Sequence, residues 1–211
     1  MAKRKKILLA IISNRKYYPA YFVRSVFAIA NHTRQFHDLD IQTFESVEVQ
    51  QMRNNACHFA IHHKYDYLFM LDDDMNYPQK CIVELMKHKK EFVVGSATQR
   101  RPPFYPTQYK NLNAKRFKDK VNRVFITKED KKLIEVDGSG VVGALIKVDS
   151  LKKLKAPYFR LVWKKNGFDI IGSDVYFCKE WRKTGKKIYL DPKINYDHEI
   201  TAFSNSFGIV T

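Results

Sequence analysis

The run Ile7 to Ile12 is six apolar residues without a polar break, followed at once by Ser13-Asn14-Arg15-Lys16. A strand with one wet face alternates apolar and polar residues. An unbroken run means that both faces are covered, which calls for a largely parallel sheet with helices on either side. The run is also too short to cross a bilayer or to form a secretory signal core. Strand-like runs recur at Asp40 to Phe44, Tyr65 to Leu71, Glu91 to Ala97, Val141 to Val148 and Lys187 to Leu190. Helical spacing fills the gaps. Pro19 suits the first turn of a helix that carries Phe22, Val26 and Ile29 on one face and ends near Asn31. From about Val47 to His63, the positions Val49, Met52, Ala56, Phe59, Ala60 and His63 fall at helical intervals. Pro78 opens a helix with Ile82, Leu85 and Met86 inward, and Asp149 caps a short turn ending near Leu154. Ser173 caps a last helix with Val175, Phe177, Cys178 and Trp181, which Gly185 closes. Alternating strands and helices predict one α/β domain, with a ligand crevice at the carboxyl ends of the strands.

The charge is uneven. The chain of 211 residues carries a formal net charge of +16, an excess that contributes nothing to folding and asks for a polyanionic partner or serves as a solubilising surface. From Gln99 to Lys132 there are eleven Lys/Arg against three Asp/Glu, and Lys3 to Lys6 adds four more basic residues. This segment, Thr98 to about Lys132, loses periodicity and gains prolines and aromatics, so it is expected to be a long functional loop. Arg100, Arg101, Pro102, Pro103, Phe104, Tyr105 and Pro106 make its first part stiff, basic and aromatic: a stacking and phosphate-binding element, or a Pro-rich connector. Cys57, Cys81 and Cys178 are odd in number, form no CxxC pair and lie in apolar helical patterns. They predict core thiols in a reducing, cytoplasmic setting rather than disulfides or a zinc knuckle.

The chemistry concentrates at Tyr67-Leu68-Phe69-Met70-Leu71-Asp72-Asp73-Asp74, where an apolar strand stops on three carboxylates that repel one another without a counter-cation. If the chain stays extended, Asp72 and Asp74 project to one side and Asp73 to the other, so a D-x-D pair faces one ligand. Oxygen ligands suit magnesium or manganese, and an ion held by one or two carboxylates keeps positions open for diphosphate oxygens.

With the strand-one loop Ser13-Asn14, the pair Arg53-Asn54, the D-x-D run, Gly138-Ser139-Gly140, Gly172-Ser173-Asp174 and a late His198 in this order, the chain resembles a small, phage-type GT-A-fold glycosyltransferase of the family 2 type over nearly its whole length. The resemblance implies a single Rossmann-like GT-A domain with a mostly parallel central sheet and helices on both faces. Its nucleotide-sugar-binding half spans about 1–97, its basic loop about 98–132 and its acceptor and catalytic half about 133–211. It implies donor contacts from Ser13, Asn14, Arg53, Asn54, Asp72 and Asp73, and a manganese or magnesium ion on Asp72, Asp74 and His198. It also implies a UDP-sugar donor and Asp174 as the base of an inverting reaction. Ser173 stands where the family commonly has an acidic residue. Read without the family, Arg53 is equally a surface helix arginine, Asp174 a first-turn aspartate, and Trp163 and Phe168 either acceptor-lining or packing residues.

The basic excess extends the resemblance to an acceptor: a hydroxymethylpyrimidine in DNA, met by the loop 99–132, with the target base out of the stack. Transfer to a saccharide, lipid-linked or protein acceptor is the alternative within the class. A non-catalytic basic nucleic-acid-binding module is the alternative outside it. A nuclease or phosphotransferase built on the acidic triplet has no Walker-type loop to support it.

Overall fold

The computed structural model describes residues 3–113, 120–164, 170–199, 203–205 and 208–210. In chain order the elements are β1 (Lys6–Ile12), α1 (Ala20–Thr33), β2 (Asp38–Phe44), α2 (Val49–His62), β3 (Tyr67–Asp72), β4 (Met75–Asn76), α3 (Cys81–Lys87), β5 (Phe92–Ser96), β6 (Ile134–Val136), β7 (Ala144–Lys147), α4 (Val148–Leu151), β8 (Val162–Trp163), β9 (Ile170–Ile171), α5 (Ser173–Lys183), β10 (Ile188–Asn195), β11 (Asp197–His198), β12 (Phe203–Asn205) and β13 (Gly208–Val210). Seven strands form the central sheet in the order β2-β1-β3-β7-β5-β10-β6. β1 pairs parallel with β2 and β3, and β10 pairs parallel with β5, while β7 and β6 run against their neighbours. Five of the seven strands therefore share a direction, the mostly parallel sheet that the apolar runs predict.

β1 shows why the sheet is covered twice. Leu8, Ala10 and Ile12 enter a core with Met52, Ala56 and Cys57 of α2 and Phe177 and Trp181 of α5. Ile7, Leu9 and Ile11 enter a second core with Phe22 and Ile29 of α1 and Ile82 and Leu85 of α3. Alternate residues of one strand thus feed opposite layers, and a polar residue at any of these positions would be buried without a partner. Cys57, Cys81 and Cys178 are free and buried, as ordinary core residues. No described helix is long and apolar enough to cross a membrane.

Several boundaries differ from the sequence reading. α2 begins at Val49, and Val47 and Val49 are exposed; its buried stripe runs through Met52, Arg53, Ala56, Cys57 and Ala60. β7 begins only at Ala144, because Gly143 takes a left-handed backbone with φ 61°. Lys147, not Asp149, precedes the first residue of α4, and Gly172, not Ser173, occupies the cap position of α5. β10 runs on to Asn195 with a register shift after Asp191, the kind of irregularity that admits Pro192.

The described parts of the expected loop, 98–113 and 120–132, are largely irregular but docked. Thr98 bridges Pro106, Tyr109 bridges Arg123 and Gly138, and Gln108, Tyr109, Leu112 and Val124 are buried. Residues 114–119 of this loop and Phe168 lie outside the described residues.

Candidate functional site

β3 stays extended only to Asp72; Asp73 and Asp74 form the turn into β4. The alternation expected for an extended D-x-D run therefore fails after its first residue. The three carboxylates fan out to three different arginines instead of facing one point.

Asp72 faces inward. Arg53 Nη2 donates to both its carboxylate oxygens, at 2.9 and 3.1 Å. Arg53 Nη1 donates to Asp174 Oδ1, so one guanidinium joins the end of β3 to the start of α5. Arg53 is only 5% exposed, and its Nε has no acceptor among the described residues. Burial works against its charge, but the Asp174 and Asp72 carboxylates outweigh that and raise its pKa above the ordinary arginine value. Burial pushes the Asp72 carboxyl up even beside this partner. The Tyr77 hydroxyl accepts from the Asp72 N–H at 2.9 Å and donates to the Asp72 carbonyl at 3.0 Å, clasping the turn from below.

Asn54 is used structurally. Its amide accepts from the Phe159 N–H at 3.0 Å and donates to the Phe159 carbonyl at 2.9 Å, and the Arg53 guanidinium lies 5.9 Å from the Phe159 ring centre. Asp174, the second residue of α5, also accepts from the Val141 N–H at 3.3 Å. This contact ties it to the segment that follows Gly138-Ser139-Gly140.

Asp73 turns to the strand-one loop. It accepts from the Ser13 hydroxyl and sits 3.2 Å from Arg15 Nε, and Arg15 Nη2 reaches Glu199 at 3.0 Å. Asn14 beside them is exposed.

Asp74 faces outward. Its Oδ2 lies 3.2 Å from both Arg100 Nη1 and His198 Nε2. Burial pushes the Asp74 carboxyl up, but the His198 hydrogen bond and the His198 and Arg100 charges hold it below the usual carboxylate range. The same hydrogen bond raises the His198 imidazole, against burial. His198 arrives on β11, which pairs with β4, and the Glu199 N–H donates to the Asp74 carbonyl at 2.7 Å. Upstream, the Tyr196 ring fills the space over Gly143 and Gly95: a Cβ at these positions would stand 2.1 and 2.6 Å from ring carbons.

Among the described residues no three His, Cys, Asp or Glu side chains form a metal-holding group, so the expected trio of Asp72, Asp74 and His198 is not assembled as a unit. Asp72 is the member withdrawn, by Arg53. The remaining pair suits a hard divalent ion whose shell is completed by phosphate oxygens. Two cis ligands of an octahedral ion stand about 3.0 Å apart, close to the 3.2 Å between Asp74 Oδ2 and His198 Nε2. The His198 Nδ1–H points to the Thr98 carbonyl at 2.9 Å, so Nε2 is the ring nitrogen that could ligate an ion, once the proton it shares with Asp74 has left.

The expected residues therefore meet at the carboxyl ends of β1 and β3 and the amino end of α5, apart from exposed Asn14 and structurally engaged Asn54. Arg15, Tyr77 and Tyr196 were not anticipated. Arg15 follows directly on Ser13-Asn14, but its partner Glu199 is 184 positions away. Arg53 carried a visible signal: with Ala56, Cys57 and Ala60 it forms an i, i+3, i+4, i+7 stripe, which marks it as buried.

A doubly covered, mostly parallel sheet with an acidic turn at the end of its third strand makes this a Rossmann-like α/β domain, consistent with the GT-A fold. Among solved structures, the chain is similar to A197 from STIV, with a TM-score of 0.60 and 18% sequence identity over 93% of this chain and 86% of that one. At this identity the likeness speaks to the fold alone. No protein-family model matches the chain, and neither does any curated protein sequence.

Proposed function

We propose that this chain is a metal-dependent glycosyltransferase that moves a sugar from a nucleotide-sugar, a UDP-sugar in the first instance, to an acceptor hydroxyl with inversion. The observation that carries the reading is the Arg53 bridge, which brings the acidic turn of β3 and the Asp174 carboxylate of α5 to one place at the open end of the sheet. Asp74 and His198 are the residues that would hold manganese or magnesium. Such an ion, when bound, stabilises the charge of a departing nucleoside diphosphate. Asp72 contributes through Arg53 rather than by ligation. Ser13 and Arg15 orient Asp73 beside the donor crevice. Asp174, partly open to solvent, accepts the proton of the acceptor hydroxyl as that oxygen attacks the anomeric carbon.

For the acceptor we take a hydroxymethylpyrimidine in DNA. Support comes from the net charge of +16 and from the basic segment 98–132, whose described parts are docked. A cleft of about 490 Å³ that includes Lys128, Lys131 and Lys193 adds a basic surface apart from the acidic turn. DNA binding through such contacts falls steeply with salt.

The test is a panel of UDP- and GDP-sugars with manganese, with and without hydroxymethylated DNA, on wild type and Asp74→Ala. Consumption of one donor by wild type alone, accelerated by DNA, is the expected result. Consumption without a DNA effect moves the acceptor to a saccharide, lipid-linked or protein hydroxyl.

One observation favours a second reading, a non-catalytic basic nucleic-acid-binding module: Arg53, Arg15 and Arg100 already partner the three carboxylates. That reading requires no donor consumption and DNA binding that survives Asp74→Ala.

A further inference from the structure

Arg100 sits on a compact arm. Its neck is closed by Thr107 N–H to the Ala97 carbonyl at 2.9 Å and by Gln99 N–H to the Tyr105 carbonyl at 2.9 Å, with Thr98 bridging Pro106. A further turn, Phe104 N–H to the Arg101 carbonyl at 3.0 Å, folds the tip around Pro102 and Pro103. The arm touches the Asp74–His198 pair twice: the Thr98 carbonyl orients His198, and Arg100 meets Asp74. The side chain of Arg100 is 45% exposed, against 6% for Arg53. Arg53 is locked between two carboxylates, whereas Arg100 has one carboxylate partner among the described residues and is half-exposed.

The decisive detail is the shared atom. Arg100 Nη1 and His198 Nε2 both lie 3.2 Å from Asp74 Oδ2. A cation that takes Asp74 Oδ2 and His198 Nε2 as ligands meets the Arg100 charge at the oxygen it needs. Sharing that oxygen would hold the ion and the guanidinium close together as like charges, so the arginine gains by moving to another anion. The donor's diphosphate supplies the anion to which it can move, and a guanidinium forks onto phosphate oxygens more effectively than an ammonium does.

We infer that Arg100 is a diphosphate-binding residue that waits on Asp74, competing with the divalent ion until the nucleoside diphosphate arrives. This rests on the proposed metal and donor site and deepens it. Metal and nucleotide should therefore bind with positive coupling, each removing an obstacle to the other. The assignment gives removal of Arg100 opposite effects on the two ligands, which a merely structural role would not.

The test measures two affinities on the full chain: Mn²⁺ alone, from the electron paramagnetic resonance of the free ion, and UDP at saturating Mn²⁺, by calorimetry. In Arg100→Gln we expect Mn²⁺ to bind about three- to fivefold more tightly than in wild type, the scale of a half-exposed ion pair. UDP should bind about tenfold more weakly, the scale of a lost charge-assisted contact. Arg100→Lys keeps the charge, so its Mn²⁺ affinity should stay near that of wild type while UDP affinity falls by less than in Arg100→Gln. Unchanged or weaker Mn²⁺ binding by Arg100→Gln, or unchanged UDP binding, overturns the assignment. Asp74→Ala separates the two levels: if it binds Mn²⁺ as wild type does, the metal site itself is elsewhere and the parent reading fails with it.

Discussion

Arg53 and Arg100 make the same chemical contact, a guanidinium on a carboxylate of one acidic turn, in opposite surroundings. Arg53 reaches Asp72 from inside the molecule, divides itself between two carboxylates and rests near Phe159. Arg100 reaches Asp74 from a surface arm and shares its oxygen with His198. The difference teaches that one acidic motif can serve two tasks. Its inner carboxylate fixes elements that must not move, and its outer carboxylate keeps partners that can be exchanged.

The largest expected effect tests the inner half. Arg53→Met leaves Asp72 and Asp174 without their cation, a change that costs about 3 to 5 kcal/mol at buried pairs. The partial exposure of both carboxylates favours the lower figure, and urea unfolding is the measurement. A loss below about 1 kcal/mol would erase the contrast with Arg100. Next comes Asn54→Ala, which strips the Phe159 N–H and carbonyl of their partner and should cost about 1 to 3 kcal/mol. If instead it leaves stability intact and weakens UDP binding, Asn54 is a donor contact and the inner half extends into the crevice.

The outer half responds to pH, with a smaller effect. His198 is raised, so its contribution is complete below the ordinary imidazole value of about 6.5 and fades as pH rises through its higher folded value. Asp74 is lowered, so its contribution is complete above the ordinary carboxylate value of about 3.9 and fades as pH falls through its lower folded value. The pair should contribute most between these limits. Comparing stability at pH 5.5 and pH 8.5 should show a decline that is absent in His198→Asn. The smallest effect belongs to Arg100→Gln, expected to change folding stability by less than about 1 kcal/mol. A larger loss would make Arg100 a structural residue like Arg53.

Much of the scaffold could be read from the chain because β1 and the helical stripes are dictated by burial alone. Ile7 to Ile12 lies in the sheet with both faces covered, and Phe22, Ile29, Ile82 and Leu85 pack where their spacing put them. The two-residue strands β4, β8, β9 and β11 were invisible, since no periodicity fits into two positions. Asp72 and Asp74 were legible as site candidates from the acidic run that ends an apolar strand, and Asp174 and His198 from the order of motifs that carries the family resemblance. Their partners were not: Arg53 meets Asp174 across 121 positions and Arg100 meets Asp74 only once the arm has folded. The turn at Asp73-Asp74 was hidden by the extended geometry of the strand before it.

The fan of three carboxylates also bears on how the open end of the sheet is held shut. The cysteines are all free and buried, so they staple no loop there. Asp72, Asp73 and Asp74 take that place: between them they tie α2, the strand-one loop, the 98–107 arm and the segment ending at Glu199 to one turn. The exposed contacts of a clasp made of charge open at low pH or high salt without any bond being cut, while the buried Arg53 pairs are screened much less. The loops it gathers should then loosen as a group, their amides exchanging hydrogen together and ahead of the sheet beneath them.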